Sequence, residues 1–182
     1  MLSNKFLILS ILSILLISSS VAQAEKMHGL AMHGVPKYDK NFTHLSYVNP
    51  DAPKGGALRF GSYGSFDNLN RVAFKGSKAS GLGYINDTLM RRVWDEAFTL
   101  YGLIAEYADM PEDRSSITFF INSNAHFHDG SPITRDDVLF SLHTFQTKGT
   151  PNQKKTYGKV VETQMIGDNG IKMIFVDNED KE

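Results

Sequence analysis

Apolar residues follow two clear patterns along the chain. Ile117, Phe119 and Ile121 occupy every second position and Asn122 to Asn124 end the run, which predicts a β-strand. Further on, Val138, Leu142 and Phe145 recur at helical spacing with Leu139 beside them, which predicts an amphipathic helix. Thr134 followed by Asp137 is a capping-box-like start, with Asp in place of the longer Glu, and Asp136 favours the positive helix end. Gly149-Thr150-Pro151 stops the helix, and Asp129-Gly130 marks a turn between strand and helix. After a polar loop, Ile171 to Val176 has the apolar run of a last strand.

Elsewhere the periodicity is weaker. Residues 25–56 carry Pro36, Pro50, Pro53 and the Gly55-Gly56 pair, and are expected to form an extended lead-in with turns. Ala57-Leu58-Arg59-Phe60 is a short strand candidate. Ser65 to Gly83, rich in Gly, Ser, Asn and Lys, is expected to be a long loop, the kind of segment that often binds ligands. Between Ile85 and Tyr107 the positions of Leu89, Met90, Val93, Ala97, Leu100 and Leu103 are roughly helical in spacing.

The first residues carry an address. Lys5 supplies a positive start, Phe6 to Ile17 is apolar except for Ser10 and Ser13, and Ala22-Gln23-Ala24 closes the stretch. That is the layout of a cleavable secretory signal over residues 1–24, cut between Ala24 and Glu25. The apolar run is shorter than the ~20 residues that a membrane-spanning helix needs.

Composition narrows the function classes. The 182 residues are 41% hydrophobic and 21% charged, as in an ordinary globular protein. The chain has no cysteine, which removes disulfides, thiol nucleophiles and Cys-based zinc sites. Nineteen basic residues against twenty acidic ones give a formal charge of -1, which argues against nucleic acid as a partner.

Candidate chemistry is sparse. His126 and His128, two apart on an extended chain, would point the same way, as a metal-dependent hydrolase would want. A third ligand is needed and the only later histidine is His143, so a strand end with hydrogen-bonded imidazoles accounts for the pair better. His28, His33 and His44 lie in the loop-like lead-in and are expected to be solvated, while Trp94 is expected in the core. Asp136-Asp137 face different ways on a helix, so capping explains them better than acid-base catalysis. Neither a G-x-S-x-G elbow nor a phosphate-cradling G-x-x-x-x-G-K-[ST] loop is present. No catalytic residue, metal or cofactor is assigned.

Several blocks carry a resemblance. They are His44 to Gly56, Asp87-Thr88-Leu89-Met90, Tyr101 to Glu106, Pro111 to Ser115 and Phe127 to Val138, the last fitting D-G-x-P-[IVL]-T-x-x-D-V. In this order they resemble family 5 extracellular solute-binding proteins of peptide-type ABC transporters, especially the branch serving a microcin C and oligopeptide importer. Arg91-Arg92-Val93-Trp94 departs from the pattern. The resemblance implies a mixed α/β (α+β) fold, the N-terminal part of a two-lobed type II periplasmic binding protein. It divides the chain into the signal, the lead-in, a partial N-terminal lobe over 57–176 and a polar stub over 177–182.

The same resemblance implies a periplasmic binding component, not an enzyme, that captures oligopeptides and delivers them to an inner-membrane ABC permease. It places peptide recognition on the loop containing Lys75, Gly76 and Ser77, with Lys148 to Tyr157 as a second loop candidate whose Gln153-Lys154-Lys155 departs from the expected aromatic character. Family members are far longer, so the chain is expected to act as a monomer or to be complemented by a separate second-lobe polypeptide. The alternatives are a non-binding remnant of a degraded or split gene, and a secreted metal-dependent hydrolase. The address makes one direct prediction. N-terminal sequencing of the exported protein should begin at Glu25, and a mature chain that keeps Met1 or Lys5 would contradict the signal assignment.

Overall fold

A computed structural model of the protein describes residues 26–72 and 74–176. The signal assignment over 1–24 and the stub over 177–182 lie outside the described residues. The elements run in the order β1 (Gly29–Ala31), a 3-10 turn (Leu82–Tyr84), β2 (Met90–Val93), β3 (Glu96–Gly102), β4 (Ala105–Asp109) and β5 (Ser116–Ile121). Helices α1 (Arg135–Lys148) and α2 (Pro151–Tyr157) follow, then β6 (Val160–Ile166) and β7 (Gly170–Phe175). This is a mixed α/β arrangement.

Two antiparallel sheets share one apolar cluster. The smaller has the order β1-β3-β2 and the larger β4-β5-β7-β6. A bridge between Met27 and Ala108 ties the start of the smaller sheet to β4. Met90, Ala108, Ile117, Ile121, Leu142, Ile171 and Met173 form the buried cluster, drawing on both sheets and on α1. Ile171, at 0% exposure, sits opposite Phe119 on β5 and Met165 on β6. Burying a side chain of that size stabilises by roughly 1.5–3 kcal/mol, more than any exposed polar contact described below.

The expected strand over Ile117 to Ile121 and the expected helix are both present. The Thr134 side chain accepts from the Asp137 amide at 3.3 Å, and the Thr134 amide donates to Asp137 Oδ2 at 2.8 Å, closing the capping box. Gly130, at φ 87°, turns the chain before it.

Other expectations need correction. Ile85 to Tyr107 holds no helix; it forms β2, β3 and the start of β4. Thr99 and Tyr101 alternate inward on β3, and the two-residue turn Trp94-Asp95 folds β2 back on it, a period-2 arrangement that approximate leucine spacing conceals. The lead-in contains β1, where Gly29 lets the Tyr101 ring approach so closely that a Cβ would lie 3.1 Å from it. Lys148 to Tyr157 is mostly helix, because Thr150 and Gln153 form a second capping box with Pro151 at the first turn. The polar stretch after it contains β6, an edge strand exposed along almost all its length, so its sequence lacks an apolar period. Ala57 to Phe60 is in no ladder among the described residues and is exposed throughout.

The α1 start generates a prediction. Hydrogen bonds from the Thr134 side chain and backbone hold the Asp137 carboxyl below the usual carboxylate range. A depressed folded value contributes stability above the unfolded pKa, and that contribution is lost as pH falls through the folded one. Thr134→Ala should cost about 1 kcal/mol in urea unfolding at neutral pH. The difference from the parent chain should shrink on acidification, and a pH-independent difference would argue against the capping-box account.

Candidate functional site

The loop that follows Phe66 is organised by one carboxylate. Asp67 Oδ1 accepts from the Ser77 amide at 2.7 Å, and the Asp67 amide donates to the Ser77 carbonyl at 3.0 Å. Asn68 Nδ2 donates to the Lys75 carbonyl at 3.2 Å, and its own carbonyl accepts from the Ala79 amide at 2.9 Å. Asn68 and Asn70 each accept from the amide two residues on, as in Asx-turns. Gly76 stands at φ 88°, and a Cβ there would lie 2.5 Å from Asp67 Oδ1. Glycine is therefore required twice over, by conformation and by space.

Lys75, Gly76 and Ser77 thus lie together on an exposed loop, as expected, but much of their main chain is already engaged. The Lys75 carbonyl and both Ser77 main-chain groups bond within the loop. Among the described residues no hydrogen bond engages the Gly76 amide or carbonyl. Asp67 was not singled out from sequence. The signal for it was the Asp67-Asn68-x-Asn70 spacing, which favours nested side-chain-to-backbone turns.

A second polar cluster fastens the lead-in to the β2–β3 hairpin. Asp95 Oδ2 accepts from Lys37 Nζ at 2.5 Å, from the Tyr38 hydroxyl at 2.6 Å and from Ser46 Oγ at 2.8 Å. Glu96 accepts from the Lys37 amide at 3.0 Å and from the Tyr101 hydroxyl. The Tyr101 oxygen in turn accepts from the Tyr38 amide at 3.1 Å, and the Tyr38, Phe42 and Tyr101 rings pack edge to face or tilted. The Lys37 contact, then that of Tyr38, holds the Asp95 carboxyl far below its ordinary value. Burial pushes Glu96 upward, but hydrogen bonds from Tyr101 and the Lys37 amide outweigh it and leave Glu96 low. Tyr101 is pushed up to about 12, first by burial and then by Glu96.

Several sequence expectations change here. His28 is half-buried, with Nε2 2.7 Å from the Tyr38 carbonyl, because the lead-in folds back over it. Trp94 is 92% exposed, since the two-residue hairpin turn carries it outward. His126 and His128 do not share a strand. His126 bridges Pro132, and the Phe127 carbonyl accepts from the Gly130 amide, so the chain turns between them. His126 lines an open cleft of about 280 Å³ with Asp87, Leu103, Asn122 and Asn124. Among the described residues no three His, Asp or Glu side chains are grouped to hold a metal ion.

Comparison with known proteins places the sequence. Residues 99–180 match the family described as bacterial extracellular solute-binding proteins, family 5 middle. This part of the chain belongs to that family. The peptidoglycan-binding protein YepA of Agrobacterium fabrum is 37% identical over 175 residues, covering 92% of this chain and 28% of the relative. A second protein of that organism, named "Probable peptide-binding protein YejA", is 36% identical over 154 residues, covering 85% and 25%. The structure of the oligopeptide-binding protein AppA of Bacillus subtilis with a nonapeptide overlaps 62% of this chain and 22% of its own, at 19% identity and a TM-score of 0.48. The chain spans about a quarter of the length of the curated relatives it matches.

Asp95 carries the prediction. Its depressed value means that the clasp stabilises above the unfolded carboxylate pKa and loosens as pH falls through the folded one. Tyr101 bounds the other side, its contribution being lost as pH rises from the ordinary tyrosine value towards about 12. Asp95→Ala should speed amide exchange at Tyr38 and Ser46 while leaving β5 and β7 unchanged. Unaltered exchange at Tyr38 would show that the aromatic packing alone holds the lead-in.

Proposed function

We propose that this family 5 chain is part of the periplasmic substrate-binding component of an ABC importer for oligopeptides, and that it hands its ligand to an inner-membrane permease. The family match over residues 99–180 carries this, and the family's description as extracellular supports export. One relative's name refers to peptides and another's to peptidoglycan, a polymer that itself contains peptides. Their common chemistry is a peptide main chain, which an extended segment can recognise by strand-like pairing while tolerating many side chains.

The loop at Lys75, Gly76 and Ser77 is the proposed contact, with Gly76 supplying main-chain groups and Lys75 a cation beside them. Magnitudes limit what it does alone. Two hydrogen bonds contribute about 1–3 kcal/mol in total, whereas association costs roughly 4–15 kcal/mol in lost freedom. A second binding surface is therefore needed, and it is assigned to the rest of the family sequence, a second lobe that closes over the ligand. Without it the chain behaves as a non-binding piece.

Calorimetry with a pool of short peptides tests this on the full exported chain. Alone, the chain should bind no more tightly than about 1 mM. With a folded polypeptide carrying the remainder of the Agrobacterium YepA sequence, affinity should rise at least about tenfold over either part alone, or about 1.4 kcal/mol. Micromolar binding by the chain alone would overturn the two-lobe requirement. No gain with a bound, folded companion would overturn the peptide assignment.

A further inference from the structure

Strand β6 is the outermost strand of the larger sheet, and among the described residues nothing pairs with its outer side. The register shows which of its main-chain groups face outward. The Phe175 amide donates to the Ser115 carbonyl and the Ile121 amide to the Asn169 carbonyl, so β7 turns its odd-numbered residues towards β5. Its even-numbered residues therefore serve β6, where Lys172 stands opposite Gln164 and Gly170 opposite Ile166. The amides and carbonyls of Thr163 and Met165 are left pointing away from the sheet. A bulge between Val160 and Glu162 ends the regular alternation at the start of the strand.

The edge is also undefended. Over Val160–Ile166 there is no proline, lysine or arginine, and Glu162 is the one charged residue. Val161 and Met165 are 61% and 45% exposed. A long edge without such blocking residues is a template for another strand.

We propose that β6 pairs with β6 of a second copy of this chain, antiparallel about a two-fold axis at Thr163, joining the two larger sheets into one. In that register Thr163 lies opposite the partner's Thr163, Glu162 opposite the partner's Gln164 and Val161 opposite the partner's Met165. Polar meets polar and apolar meets apolar. Thr163 is an outward residue, so the axis falls on a hydrogen-bonded pair, as antiparallel pairing through this edge requires. Gln164 already donates to Glu162 at 2.8 Å within one copy, and the same donor and acceptor meet across the axis.

Other registers lose this match. Sliding by two residues keeps the outward groups paired, but in one direction sets Glu162 against the partner's Glu162 and in the other against the partner's Ile166. Each copy offers one such strand, so the pairing closes as a dimer and does not propagate. At the opposite rim, Met27 already takes up part of the edge of β4. The dimer uses no residue of the Lys75–Ser77 loop and goes beyond the peptide reading.

Sedimentation of the full exported chain from about 10 μM to about 1 mM tests the pairing, because an edge contact of this size is a weak one. The parent chain should pass from monomer to dimer over that range. Thr163→Lys and Thr163→Glu should each weaken the dimer at least about tenfold, since like charges then oppose each other at the axis. An equimolar mixture of the two variants should recover it. Thr163 is exposed, so both changes spare the fold, which circular dichroism checks. Phe140→Ser, at an exposed aromatic on α1, should leave the dimer unchanged. In the parent chain, hydrogen exchange at Thr163 and Met165 should slow as concentration rises, while Gln164 should be slow throughout.

A monomer over the whole range, a dimer undiminished in both charged variants, or growth beyond the dimer would each overturn the pairing. So would a mixture that associates no better than either variant alone. Protection of Thr163 and Met165 that follows added short peptides and not chain concentration would assign the edge to a ligand and overturn the second copy as its occupant.

Discussion

Strand β5 is hydrogen-bonded along both edges, to β4 on one side and β7 on the other, and the larger sheet takes its register from it. Its side chains serve both faces. Ile117 and Ile121 enter the apolar cluster, while Ser116 and Thr118 are also buried. A one-residue slip would exchange those faces and place hydroxyls where Ile171 and Met173 now pack. The polar cap of α1 contributes only about 1 kcal/mol, but it sets where the helix begins and hence that Leu142 reaches the same cluster. Register and burial decide the fold, and local polar signals place the ends.

That division explains what could be read along the chain. The β5 alternation and the α1 cap were legible because each is a local pattern with one strong physical cause. The strands between Met90 and Asp109 were not, because their leucines and methionine fall by chance near helical intervals. Long-range pairing decides them, including Leu30 against Leu100. Strand β6 was hidden for the opposite reason. An edge strand exposed on nearly every residue needs no apolar period, and Val160–Ile166 pairs with β7 through its main chain. Helix α2 needed only the recognition that Thr150 and Gln153 reproduce the capping geometry of Thr134 and Asp137.

The candidate site was legible as a location and not as an arrangement. Composition marks Ser65 to Gly83 as a loop, and the resemblance places Lys75, Gly76 and Ser77 within it. It does not reveal that Asp67 closes the loop on Ser77 and so uses main-chain groups that a ligand would want. The Asp95 cluster was missed because Lys37, Tyr38, Ser46 and Asp95 are far apart in sequence and each is unremarkable alone. Only the fold-back of the lead-in over Tyr101 brings them to one carboxylate.

Capture of an extended peptide requires main-chain groups that the protein has not already paired. The larger sheet spends most of its groups internally, and among the described residues Met27 takes up part of the outer edge of β4 as well. The clasp at Asp95 likewise engages Lys37, Tyr38 and Ser46 of the lead-in. Between these two firmly bonded regions runs the stretch from Ala57 to Phe66, whose main chain bonds to no other described residue and which exposes Phe60, Tyr63 and Phe66. It is anchored on one side by the lead-in and on the other by β2. Its ends are thus held in place while its middle remains available.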